Sequence, residues 1–213
     1  MPLAIVRSNH LKYAGISYFR GNAPSVGLGD YGEKKSPVLS QNHLAVQSSL
    51  PASKIDVSRS YTVELDFSRS RRADVELNLK VANGGAGVGG GFEGLKRASL
   101  KLLKLEVRLG DLKRAVNRSR DTLEALRSYG KDARVVHQIF VVMSASEADV
   151  VSGSGGLTLS QYGATLTAKA GGRRSLTVKF EPGTTYAYLL SKPEWDAGRR
   201  TVVKFDPDQW GPS

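Results

Sequence analysis

The segment Tyr61-Thr-Val-Glu-Leu-Asp-Phe67 sets Tyr61, Val63, Leu65 and Phe67 on one side of an extended chain, with Glu64 and Asp66 on the other. Asp74-Val-Glu-Leu-Asn-Leu-Lys-Val81 repeats the arrangement: Val75, Leu77, Leu79 and Val81 oppose Asp74, Glu76, Asn78 and Lys80. Leu103-Lys-Leu-Glu-Val-Arg-Leu109 does so a third time, with Leu103, Leu105, Val107 and Leu109 on the apolar side. A period of two marks strands with one apolar and one polar face. The first two segments are joined by Ser68-Arg-Ser-Arg-Arg72, a polar connection of hairpin length, so they are expected to pair antiparallel. The functional question is whether those apolar faces meet a protein core or something else.

Between the second and third segments runs Asn83-Gly-Gly-Ala-Gly-Val-Gly-Gly-Gly91. Gly85–Gly90 satisfies the spacing G-x-G-x-x-G, but that pattern holds a pyrophosphate only where a helix opens directly after it. Here the next regular segment reads as strand, and no Gly-Lys-Ser/Thr closes a P-loop. The glycines therefore read as a permissive joint. After the third segment Asp111 is placed to cap a helix. Leu112, Ala115, Val116, Ser119, Leu123 and Leu126 form its apolar stripe, Lys113, Arg114, Arg118, Arg120 and Arg127 lie opposite, and Gly130 is placed to stop it.

Residues 1–60 read as an irregular N-terminal segment packed on the domain, punctuated by Gly, Pro, Asn and Ser, with short apolar runs at Leu3–Val6, Gly15–Phe19 and Leu44–Val46. Residues 61–213 read as the β-rich remainder of a single domain. Val135-Val-His-Gln-Ile-Phe-Val-Val-Met143 is a near-continuous apolar run, expected to be a central strand buried on both faces. Further strands are expected at Leu157–Leu159, Ala164–Ala168, Ser175–Phe180, Thr185–Leu190 and Thr201–Phe205.

At 213 residues, with 40% hydrophobic and 24% charged residues, the chain has the make-up of a globular protein large enough to bury a core. No apolar run reaches the roughly 18–20 residues of a spanning helix, and Met1-Pro-Leu-Ala-Ile-Val6-Arg7 is not patterned as a secretory signal. The net charge of +11 is concentrated: residues 94–120 carry Lys96, Arg97, Lys101, Lys104, Arg108, Lys113, Arg114, Arg118 and Arg120 against Glu106 and Asp111. That excess favours a polyanionic partner, and these nine residues are the candidate lipid- or anion-binding set. The cluster has little aromatic interleaving for base stacking, so nucleic acid is the less favoured polyanion.

No catalytic, metal or cofactor site is expected. The chain has no cysteine, G-x-S-x-G or H-E-x-x-H, and its three histidines have no ligand spacing. Three motifs complete the reading: Gly89-Gly-Gly-Phe-Glu-Gly-Leu-Lys-Arg-Ala-Ser-Leu-Lys-Leu-Leu-Lys-Leu105, the buried Ile139-Phe-Val-Val-Met143, and the aromatic strand with its turn from Thr185 to Gly198. In this order, over roughly residues 55–205, the elements resemble the pore-forming domain of the gasdermins, the bacterial ones above all.

The resemblance implies an α+β fold, a twisted, mostly antiparallel sheet with flanking helices. It also implies a non-enzymatic protein that is cytoplasmic when inactive and moves to the cell membrane, where copies oligomerise on anionic lipid, insert β-hairpins and cause cell death. Val63, Leu65, Phe67, Val75, Leu77, Leu79, Val81, Leu103, Leu105, Val107 and Leu109 would then be the membrane-facing side of the inserted strands. Restraint of the inactive form would come from a partner chain, the N-terminal third or oligomerisation itself, and a regulatory partner chain or a protease is the expected further partner. The alternative is a soluble, basic, β-rich protein that binds nucleic acid or a protein.

Overall fold

The structure is a computed structural model and describes residues 4–7, 9–38, 41–65, 100–143, 185–198 and 200–211, with four two-residue strands between 158 and 177. It is an α+β fold: an open, mostly antiparallel sheet with two helices. The strands are β1 (Ala4–Val6), β2 (His10–Tyr13), β3 (Ile16–Phe19), β4 (Asp30–Lys35), β5 (His43–Ser49), β6 (Val57–Leu65), β7 (Leu100–Val107) and β8 (Ala133–Met143). The short strands β9 (Thr158–Leu159) and β10 (Ala164–Thr165) pair with each other, as do β11 (Thr167–Ala168) and β12 (Leu176–Thr177). β13 (Thr185–Trp195) and β14 (Val202–Asp208) follow. Helices α1 (Leu109–Asn117) and α2 (Arg120–Ser128) lie between β7 and β8.

Ten strands form one sheet, whose main path is β1-β2-β3-β13-β8-β4-β5. β6 and β7 branch from the upper part of β8, where Lys101 lies opposite Met143 and Glu106 opposite Gln138, while β4 takes its lower part, with Tyr31 opposite Val135. β8 is thus the central strand that its apolar run requires. The sheet curls so that Gly21, just after β3, forms a parallel bridge with His43 of β5. There the buried Tyr188 hydroxyl donates to the Gly21 carbonyl at 2.7 Å and accepts from the Leu44 amide at 3.0 Å. Inside that curl Phe19, Val26, Leu44, Leu103, Leu105, Ile139, Val141, Tyr188 and Leu190 form one core cluster. The second cluster holds Leu112, Val116, Leu123 and Leu126 of the helices against Tyr31, Ala133, Val135, Val202 and Phe205.

Three sequence expectations are corrected. Residues 1–60 are not an irregular segment laid on a domain beginning at residue 61. They supply β1–β5 and the start of β6, and β3 and β4 pair directly with β13 and β8. Their strands were hard to see because they are short. β4 is polar in sequence, and its Gly32 is needed where a Cβ would come within 2.0 Å of the Ala45 carbonyl. The single helix from Asp111 is two helices, broken at Arg118 and the extended Ser119, and Asp111 lies in the first turn of α1, with Arg108 at the cap position. Ser119-Arg-Asp-Thr122 is a stop-and-restart signal, with an N-cap residue type followed by an acid that suits a helix N-terminus. The apolar stripe runs through the break in register and concealed it. Finally, the third alternating segment ends as a strand at Val107, and Leu109 is the first residue of α1 rather than part of a strand face. The hairpin expected between Tyr61–Phe67 and Val75–Val81 lies outside the described residues beyond Leu65.

Candidate functional site

Two features bear on function: one end of the sheet, and the basic residues. At one end of the described sheet, Leu65 of β6 lies opposite Leu100 of β7. Lys101 lies opposite Met143, the last residue of β8, and Val141 lies opposite Thr185, the first of β13. The meander β6-β7-β8-β13 therefore brings four strand ends side by side. Segment 66–99, between β6 and β7, and segment 144–184, between β8 and β13, both leave from and return to that one end.

Register decides what the strands' faces meet there. Val63 lies opposite Leu102 and Leu65 opposite Leu100, so the apolar side of β6 continues into the Leu100–Leu102–Lys104 side of β7. Leu103 and Leu105 are on the other side, opposite Thr62 and Ser60. The expected single apolar face across these strands is thus two opposite faces. Val63, Leu102, Leu103, Leu105 and Val107 are all buried, so β7 is a core strand on both sides. In this state Val63, Leu103, Leu105 and Val107 are packed in the core; the membrane-facing role was expected of them in an inserted state. Nothing is described of the Leu65 side chain, and Phe67, Val75, Leu77, Leu79 and Val81 lie outside the described residues.

The basic set does not assemble into one surface. Lys96 and Arg97 lie outside the described residues, as does the Lys101 side chain. Lys104 is buried, only 6% exposed, with its ammonium 3.4 Å from Glu106 and 5.9 Å from the Tyr18 ring centroid. It is a core cation rather than a lipid ligand. Arg108, Arg114, Arg118 and Arg120 are exposed and Lys113 half-buried. Arg114 pairs with Asp111, and Arg120 with Glu124 at 2.8 Å, so the helical face is mixed in sign. At about 3.3 Å per residue, the run of β7 from Lys101 to Val107 covers roughly 20 Å. The helical cations are therefore at the opposite end of the sheet from the four strand ends.

Beneath the sheet lies a polar group, of which the sequence reading anticipated only His137, as a core or edge histidine inside the apolar run of β8. The Tyr18 hydroxyl donates to Gln138 Oε1 at 2.9 Å, and the Ser191 hydroxyl is hydrogen-bonded to His137 Nδ1 at 2.7 Å. Burial, then the nearby Lys104 ammonium, pushes the His137 imidazole down to about 3, against a backbone hydrogen bond to Leu189 that acts the other way. Ser191 and His137 have the separation of a nucleophile and its base, but both are buried, at 0% and 2% exposure. The only hint in sequence was polar residues inside otherwise apolar strands.

Two other polar devices hold β14 in place. Asn117 makes a two-way amide pair with the backbone of Val202, both contacts 2.9 Å. The Asp196 carboxylate accepts from the Arg200 and Thr201 amides and closes the β13–β14 turn. Among the described residues no three His, Cys, Asp or Glu side chains are grouped to hold a metal, and no helix is long and apolar enough to cross a membrane. No known protein family, curated protein or solved structure matches the chain.

Proposed function

We propose that the protein is a membrane pore-former of gasdermin type, in which segments 66–99 and 144–184 supply the spanning hairpins and the sheet stays outside the bilayer. The observation that carries this reading is the grouping of the ends of β6, β7, β8 and β13 at one end of the sheet. A protein that inserts β-hairpins must project all of them in one direction, and strands that already pair can be lengthened without changing register. Within the first segment, Asp74–Val81 alternates as a barrel wall requires, and a spanning strand takes about 9–11 residues. Because isolated hairpins leave unpaired edges in lipid, insertion requires a closed ring of copies. Confining insertion to these segments leaves the buried Val63, Leu103, Leu105 and Val107 where they are. The mixed charge of the helical face favours a protein or lipid headgroup partner over the uniform phosphate array of nucleic acid.

The test is dye release from vesicles of phosphatidylglycerol compared with phosphatidylcholine, at low and high salt, before and after limited proteolysis. The reading expects release from the anionic vesicles, reduced by salt. Intact anionic vesicles under every one of these conditions would overturn it.

A further inference from the structure

The outermost strands of the described sheet are β1, β5, β6 and β14. An edge strand is a template for a further chain unless its sequence or its neighbours blunt it. β14 carries Lys204, Asp206 and Pro207, and Asn117 of α1 already takes both backbone groups of Val202. β1 is three residues long and runs into Arg7. β6 carries Arg59 and Glu64. β5 differs from all of these: His43-Leu-Ala-Val-Gln-Ser-Ser49 contains no Lys, Arg, Asp or Glu, no proline and no glycine. The same holds for charge over the whole run from Ser36 to Ser53.

The contacts described on the outer side of β5 are at its first two residues. His43 bridges Gly21, and the Leu44 amide donates to the Tyr188 hydroxyl at 3.0 Å. Further along, Gln47, Ser48 and Ser49 are exposed. The register against β4 passes from Gly32–Val46 to Tyr31–Ser48, so Gln47 is the extra residue of a bulge. Val38, on the connection from β4 to β5, is 97% exposed and adds apolar surface beside the strand.

We propose that β5 is the contact between two copies of this chain in the protein without lipid, an antiparallel β5–β5 pair about a twofold axis near Gln47. Charge is the first argument. Two copies that each carry a net charge of +11 repel, and they approach at least cost where neither presents a charged side chain. Self-complementarity is the second. A twofold contact sets a patch against itself, and Gln and Ser each donate and accept hydrogen bonds, so they pair with their own kind as lysine or a carboxylate does not. The bulge is the third. It bends the strand, and a second β5 carries the same bend. Such a pair uses the β5 edge of both copies and is closed, so it cannot grow into a ring through that edge. The dimer does not rest on the pore-forming reading.

Sedimentation of the full chain without lipid, over a concentration series at low and high salt, provides the test. A species of twice the chain mass is expected, and salt should strengthen it by screening the repulsion between copies. Gln47→Glu and Gln47→Lys are each expected to weaken the dimer by at least about tenfold, and an equimolar mixture of the two should restore it as a heterodimer. Gln47→Cys should be joined to a second Gln47→Cys by a short bismaleimide. Circular dichroism confirms the fold of each variant, and Ser48→Glu and Ser48→Lys replace a Gln47 pair that does not fold. A monomer under every condition, a dimer weakened by salt, a dimer indifferent to the charge variants, a dimer without the cross-link, or failure of both variant pairs to fold would each overturn the contact. Dye release from vesicles separates this idea from the pore. The expected dimer with no release from any vesicle leaves the contact standing and removes the pore, and release by a strictly monomeric chain does the reverse.

Discussion

Replacing Asp208 with alanine is expected to lower stability by about 3–5 kcal/mol. Its carboxylate accepts from Lys34 Nζ at 3.0 Å through both oxygens and from Arg134 Nε at 2.5 Å. All three side chains are largely buried, with 9%, 10% and 15% of Lys34, Arg134 and Asp208 exposed. Alanine leaves two cations without their counter-charge in a region where water replaces it poorly. For a chain of this length such a loss lowers the melting temperature by roughly 10 °C. Arg120→Ala, which breaks the exposed pair with Glu124, is the control that should leave the transition in place. Because Asp208 joins β14 to β4 and β8, equal transitions for the two variants would mean that this triad does not tie those strands together.

The second large effect concerns Lys104. Read as part of a basic surface, Lys104→Glu would weaken binding to an anionic membrane and spare the fold. The buried position beside Glu106 predicts the reverse order of events. The new carboxylate would be desolvated next to an existing one, at a cost of about 3 kcal/mol or more, and the variant should unfold or accumulate as insoluble protein. Arg118→Glu, on an exposed turn between the helices, should fold as the natural protein does. Urea denaturation of the pair distinguishes the two accounts; a soluble Lys104→Glu chain with an unaltered midpoint would return Lys104 to the surface.

These two residues also mark where sequence reading succeeded and where it stopped. The apolar run of β8, the strand character of β7 and β13, and the apolar stripe of the helices are local signals, and each gave its element. Alternation, however, fixes the two faces of one strand without saying which face of its neighbour each joins. That depends on register: Val63 opposite Leu102 puts the apolar side of β6 away from Leu103 and Leu105. The doublet Leu102–Leu103 was the available sign that β7 has no polar face to give to water. Charge clustering failed for a similar reason. Residues 94–120 are continuous in sequence, but the fold places Lys104 in the interior and Arg108, Arg114, Arg118 and Arg120 at the far end from Lys101. β4, with Gly32 buried against β5 and Asp208 supplied from the end of the chain, is built from partners that no local pattern announces.

The central claim is that a segment joining β6 to β7 becomes the wall of a membrane barrel. Because the chain contains no cysteine, one cysteine at a time from position 74 to 81 can carry a polarity-sensitive dye, read with and without phosphatidylglycerol vesicles. The account predicts a period of two on adding vesicles. Val75→Cys, Leu77→Cys, Leu79→Cys and Val81→Cys should shift to the blue and be quenched from within the lipid, while positions 74, 76, 78 and 80 stay aqueous. A response that is absent, or the same at all eight positions, would contradict it.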